Sequence, residues 1–299
     1  MDVVGCKYYF YVFIILIRLM MTLWQGLCHL PTSWHPAIGK SCGKLLFIFA
    51  KSRKKIAQAN IKVCFPNLSK AEQQKLLQDN FLHLGRSFIE TGIAWFWSDK
   101  KIQSKIDYEV IGIDLLSNHD SNDGNLIIFK HSQHLELDAR LFAMNAAVYG
   151  VSRIHNSASM NKIQDKGRLS SMKDTADKNN PRKFMKWLKA GKNVMYAIDQ
   201  DYGWDHSVKL KFFNQEAATI TTTKKIIDTT NSNLVFMNSY YENKKLILEI
   251  ELIRHMGLNS IELAQKINDL MEDKILKHPA EYLWSHRRFK STLGKNFYK

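Results

Sequence analysis

The chain has 299 residues, enough to bury one large core or two small ones, and 45% of them are apolar, with no low-complexity tract. Its 43 Lys and Arg against 28 Asp and Glu leave a net charge of +15, which points to an anionic partner. A Cys/His finger, a leucine-zipper run and an aromatic RNA-binding signature are all missing from the sequence, so nucleic acid gives way to an anionic lipid surface or an acidic carrier protein.

Residues 8–17 form an unbroken run of aromatic and branched aliphatic side chains, and residues 19–23 continue it past Arg18. The run reads as a membrane anchor over residues 1–30, spanning or steeply embedded, with Arg18 snorkelling or paired and Trp24 and Trp34 at the interface. No small-x-small cleavage site follows, which argues against a secretory signal. Lys40, Lys44, Lys51, Arg53, Lys54 and Lys55 then place the body, residues 31–299, on the cytoplasmic side. Cysteines at 6, 28, 42 and 64 form no C-x-x-C pair, so reduced thiols are expected rather than a zinc site or a disulfide framework.

Residues 41–64 read as one helix, broken by the Phe-Pro-Asn that ends at Asn67. Ser69 and Glu72 have capping-box spacing ahead of Leu76, Leu77, Phe81, Leu84, Phe88 and Ile89, which recur at helical spacing over about residues 70–93. Beyond Tyr108 strands and helices alternate. Strands are expected at 125–130, 147–151, 194–198, 208–213, 234–240 and 245–252, and helices at about 132–145, 157–169, 180–190, 218–230 and 259–277. Glu242-Asn-Lys-Lys reads as a hairpin between the last two strands. The pattern predicts one α/β domain, its sheet flanked by helices, behind helices that dock it on a membrane.

The strand-like run 125–130 delivers His131, and Glu136 follows five positions later. An imidazole that takes a proton from a hydroxyl, with a carboxylate fixing its tautomer, needs such a pair. Five residues do not share a face of a straight helix, so His131 belongs in the loop and Glu136 in the first turns beyond it. The competing reading makes His131 a strand-end residue and Glu136 a solvated one. Arg153 and Asp199 occupy further strand ends, where an open α/β sheet gathers its ligands. Asn156 and Arg168 lie downstream of Arg153. Asp199 and Asp201 are either an acid/base pair or a strand-end turn that shapes the site. His286, Arg287 and Arg288, between Trp284 and Phe289, are either a solvated knot or an anion contact. The spacing His131-x2-His134-x-Glu136 imitates a metal site but shows no third ligand, so His134 is read as packing or capping the helix and no metal is expected. Asp138 is a possible carboxylate partner for His134. No G-x-S-x-G elbow occurs and no cysteine lies near His131, so direct attack by an acceptor hydroxyl is the consistent chemistry. Its oxyanion donor would come from amides after His131 or from Arg153.

His131-Ser-Gln-His-Leu-Glu136 resembles the H-x4-D/E motif of glycerolipid-type acyltransferases, in the H-x4-E form of the late (lauroyl/myristoyl) acyltransferases of lipid A biosynthesis. His35-Pro-Ala-Ile-Gly39, Ala59-Asn-Ile-Lys-Val-Cys-Phe-Pro66, Tyr196-Ala-Ile-Asp-Gln-Asp-Tyr-Gly203 and Tyr282-Leu-Trp-Ser-His-Arg-Arg-Phe-Lys290 resemble the same family in the same order, over roughly residues 20 to 290. Phe213-Asn-Gln-Glu216 departs from it, with Glu where many members carry proline. The resemblance implies a glycerolipid-acyltransferase-like mixed sheet with flanking helices. It also implies acyl transfer, without a cofactor, from acyl carrier protein to a hydroxyl on an acyl chain of a lipid A precursor, a step of lipopolysaccharide biosynthesis at the cytoplasmic face of the inner membrane. His131 would be the base and Glu136 its orienting group. Arg153, Arg168, Asp199, Asp201, Arg287 and Arg288 would serve substrate binding. An acidic carrier, a phosphorylated precursor and anionic lipids all suit the charge. The alternatives are another glycolipid or aminolipid acceptor, or a non-catalytic membrane-binding homologue.

Overall fold

The computed structural model describes residues 3–117, 123–153 and 158–299, with side chains over 15–117, 123–153 and 161–299. Five helices come first: α1 (Val3–His29), α2 (His35–Phe49), α3 (Lys51–Cys64), α4 (Lys70–Phe96) and α5 (Asp99–Lys105). There follow β1 (Tyr108–Ile111), β2 (Asn125–Phe129), α6 (Leu135–Asn145), β3 (Val148–Ser152), α7 (Ala158–Arg168), β4 (Asp174–Asp177), α8 (Pro181–Lys189) and β5 (Asn193–Ala197). The chain continues through β6 (Ser207–Phe212), β7 (Gln215–Ile220), α9 (Thr222–Thr230), β8 (Asn233–Glu242), β9 (Lys245–Leu252), α10 (Ser260–Lys277) and α11 (Lys290–Leu293).

The strands make a seven-stranded mixed sheet in the order β1-β9-β8-β2-β5-β3-β4, and β6 and β7 pair separately as a hairpin. From β8 to β4 every pair is parallel, whereas β9 runs antiparallel to β8 and carries β1 with it. An α/β fold with helices on both faces is thus observed. β2 is wholly buried because side chains alternate across a strand and both faces here are covered. Leu126 and Ile128 enter one core with Leu77, Phe81, Phe184 and Phe236, while Ile127 and Phe129 enter the other with Ile89, Ile93, Leu141 and Phe142.

The interior strands lie where the apolar runs placed them, and the capping box closes as expected: Glu72 N–H donates to Ser69 Oγ (3.2 Å) and Ser69 N–H to Glu72 Oε2 (2.7 Å). The β8–β9 turn takes Asn243 and Lys244 through positive φ. Three expectations change. The single helix over 41–64 is two helices, broken at Ala50 and starting earlier at His35, with Pro36 in its first turn. The helix expected from 218 starts at Thr222, because residues 215–220 pair with β6. That hairpin turns at Phe213 and Asn214, both at positive φ, and Glu216, where the chain departs from the family pattern, lies just past the turn in β7, opposite Lys211. The edge strands β1 and β4 were not anticipated.

Among the described residues no helix is long and apolar enough to cross a membrane. The anchor over residues 1–30 is therefore not supported as a span, and residues 8–14 of its apolar run lie outside the described side chains. Its last turns belong to the body. Cys28 is fully buried, Trp24 Nε1 donates to Phe88 O (2.9 Å), and Trp97 Nε1 donates to Cys28 O (2.9 Å).

Candidate active site

The β2–β5 register aligns Phe129 with Ala197, so His131 and Asp199, each two residues further on, come side by side. Asp199 is buried and accepts twice from one residue: from His131 N–H at Oδ2 (2.8 Å) and from His131 Nδ1 at Oδ1 (2.5 Å). Burial alone would raise its pKa. The His131 ring beside it, by charge and hydrogen bonding, more than reverses this and holds the carboxyl well below the usual carboxylate range. With the Nδ1 proton committed to Asp199, Nε2 carries the free lone pair, and the Gln200 side-chain nitrogen donates to it (3.1 Å).

Glu136 is not the carboxylate on that ring. It lies in the first turn of α6, where Arg168 grips it with two bonds, Nη2 to Oε1 (2.5 Å) and Nε to Oε2 (3.2 Å), and Trp95 Nε1 adds a third (2.9 Å). Burial pushes its pKa up, but Arg168 and Trp95 pull it below its ordinary value. The five-residue offset thus sends the two side chains to different partners: His131 leans across the sheet to β5, and Glu136 turns out toward α7. Both line one cavity of about 240 Å³, together with Arg153, Gln164, Arg168 and Gln200. Arg153 is exposed and lies just past the end of β3. Asn156 lies outside the described residues.

The remaining expected site residues sit elsewhere. Asp201 accepts from Gly203 N–H (3.0 Å) and from both the amide and the hydroxyl of Ser291 (2.7 Å each), so it fastens the turn after β5 to α11. Arg288 is buried and donates to Ala218 O (2.8 Å) and Thr219 Oγ1 (3.1 Å); it braces β7 and does not reach the cavity. Arg287 is exposed and does not line the cavity. His286 Nε2 accepts from Asp201 N–H (3.2 Å), and burial lowers its pKa to about 4. Asp138 meets Ser132 Oγ (2.5 Å) and Ser239 Oγ (2.6 Å) instead of His134. Gln200, Gln164 and Trp95 were missed as site residues; only Gln200 carried a signal, as the neighbour of Asp199 past a strand end.

The loop bearing His131 is clamped by a segment far away in sequence. Ser132 forms a bridge with Tyr282, Leu283 N–H donates to His131 O (3.0 Å), and Gln133 N–H donates to Glu281 O (2.7 Å). Two buried asparagines hold that segment: Asn80 donates to Ala280 O (2.7 Å) and Tyr282 O (2.8 Å), and Asn60 to Trp284 O (2.7 Å) and His286 O (2.6 Å). The amides of His131, Gln133 and His134 are thus spent on Asp199, Glu281 and Ser132, which removes them as donors to a developing oxyanion. Arg153 and Gln200 face the cavity as alternatives.

A family model described as bacterial lipid A biosynthesis acyltransferase matches residues 7–291. A lipid A biosynthesis lauroyltransferase of Escherichia coli (strain K12) is 35% identical over 260 residues, 85% of this chain and 84% of that one. A palmitoleoyltransferase of the same pathway and strain is 31% identical over the same shares. A crystal structure of a 1-acyl-sn-glycerophosphate acyltransferase from Thermotoga maritima has a TM-score of 0.39 at 14% identity, covering 83% of this chain and 99% of that one, too distant to carry an argument.

Proposed function

We propose, from the premise that the chain belongs to the bacterial lipid A biosynthesis acyltransferase family and is an acyltransferase, that it moves a fatty acyl group from an acyl-carrier-protein thioester to a hydroxyl on an acyl chain of a lipid A precursor. The observation that carries this reading is the His131 ring, tied at Nδ1 to buried Asp199 and presenting Nε2 to a cavity that also holds two arginines. His131 Nε2 takes the acceptor's O–H proton as that oxygen attacks the thioester carbonyl. The tetrahedral intermediate collapses, the C–S bond breaks, and the leaving thiolate takes up the acceptor's former proton from the imidazolium, leaving as the carrier thiol. Asp199 is the orienting carboxylate in this scheme. Glu136 acts one step away, holding Arg168 where it meets an anionic group of the acceptor or the donor. Arg153 or Gln200 stabilises the oxyanion.

The protein docks on the cytoplasmic face of the inner membrane through α1 and α2. Leu19, Met20, Leu23, Trp34, Ile48 and Phe49 are exposed there, and Lys40, Lys44 and Lys51 beside them favour anionic headgroups. The test is an assay of detergent-extracted protein with carrier thioesters of several lengths and a tetra-acylated lipid A precursor, read by mass spectrometry. One added acyl mass, lost in His131→Ala, is expected. No added mass with any thioester would overturn the acceptor and leave another glycolipid or aminolipid, or a non-catalytic homologue.

A further inference from the structure

His134, three residues beyond the base, is fully buried and faces away from the cavity described above. Its Nε2 lies 3.3 Å from His83 Nδ1 of α4 and 3.4 Å from Glu281 Oε2, and all three atoms lie within 4.8 Å of one another. Its other nitrogen, Nδ1, is 2.6 Å from Glu90 Oε2, and Glu90 in turn accepts from Arg86 Nε (2.6 Å) and Tyr241 Oη (2.7 Å). Two ring nitrogens that face each other at this distance need a shared hydrogen, as in an N–H···N bond, or a metal ion between them.

We propose that His83 Nδ1, His134 Nε2 and Glu281 Oε2 bind one divalent transition-metal ion of the zinc class, with a fourth position open to solvent. Ligand atoms about 2.0–2.2 Å from a tetrahedral ion stand about 3.3–3.5 Å apart, which is the separation of both pairs measured from His134. The Glu90 carboxylate on the far nitrogen of His134 is the outer partner that a metal-bound imidazole requires, fixing its tautomer and orientation. Access for an ion would be through His83. His83 and Glu90 line a cavity of about 680 Å³ that also touches α2. The constellation differs from the His131-x2-His134-x-Glu136 spacing considered from sequence: only His134 is shared, and the other ligands come from α4 and from the Pro279–Glu281 turn. An ion there would join α4, the start of α6 and the segment that clamps the His131 loop, so its role is to position the base.

The competing occupant is a proton, with His134 as an imidazolium between Glu90 and Glu281. Tag-free full-length protein, extracted in detergent and dialysed against chelator, separates the two when titrated with zinc chloride and, in parallel, with cobalt chloride. One equivalent bound, a rise in melting temperature and the visible absorption of four-coordinate cobalt are expected. His83→Ala, at a half-buried position that tolerates truncation, abolishes all three while the protein stays folded. Glu90→Gln weakens binding roughly 10–100-fold. Absence of a stoichiometric equivalent in the wild type overturns the site and leaves the proton. Binding equal in wild type, His83→Ala and Glu281→Gln also overturns it, as adventitious metal only.

Discussion

Under the proposed mechanism, a proton on the wrong nitrogen of His131 would silence it as a base, and the buried Asp199 carboxylate would decide where that proton sits. Asp199→Asn replaces an acceptor by a group that can donate to Nδ1, forcing the proton onto Nε2. Turnover is expected to fall by roughly 10²–10⁴, measured as initial rate with saturating donor, with little change in KM; an unchanged rate would return the orienting role to Glu136. The same carboxylate has a pH signature. Its folded pKa lies below the unfolded value, so its stabilisation is complete above about pH 4 and is lost as pH falls from there toward the depressed folded value. Denaturation midpoints of wild type should therefore drop on acidification more steeply than those of Asp199→Asn. Glu136 and Arg168 make a different prediction, because each is the other's partner. Glu136→Gln and Arg168→Gln should each destabilise, and the double variant should be no worse than the worse single one. The expected coupling is about 0.5–3 kcal/mol in a double-mutant cycle, and additive losses would show that the pair is not a unit.

Elements bring these residues together, and how far that was legible depended on burial. β2 and β8 could be read because unbroken apolar runs lie inside the sheet, and β9 because its apolar residues alternate with Glu249 and Glu251. β4, Asp174-Thr-Ala-Asp177, could not, since four residues at a sheet edge need neither an apolar run nor high strand propensity. That His131, Arg153 and Glu136 would come to one cavity was legible from strand ends and spacing. The bond from His131 to Asp199 was not, because it depends on the register of two strands whose partners lie 68 residues apart. Arg288 was expected in a solvated knot or an anion contact, with the aromatics around it hinting at burial, and this guanidinium is inside, satisfied by Ala218 O and Thr219. The contact of α2 with α4 rests on Gly39, Gly43 and Gly85, the first two four residues apart on one face of α2. A Cβ at Gly85 would stand 2.1 Å from Gly43 N and 2.3 Å from Gly39 O, and backbone cannot rotate away. Gly85→Ala should cost about 1–3 kcal/mol of stability, seen as a lowered melting temperature, by prising the two helices apart.

On the scale of the molecule, a surplus of fifteen positive charges and an apolar edge on α1 and α2 both favour the proposed membrane docking. Apolar contact and headgroup attraction respond differently to salt, so both are measurable. Co-sedimentation with vesicles containing anionic lipid should weaken as salt rises. Ile48→Ser and Phe49→Ser should each lower partitioning by roughly tenfold at any salt; no effect of either would place the docking face elsewhere. The clamp on the His131 loop has a further consequence, for the timing of synthesis. Gln133 leaves the ribosome 149 residues ahead of Tyr282, whose segment pairs with its loop. At bacterial or slower elongation rates that is an interval of roughly 8–30 s in which strand β2 exists but the His131 loop has no outer wall. On the proposed mechanism a nascent chain would stay inactive, and acyl transfer would begin only once translation delivers the segment that clamps the His131 loop.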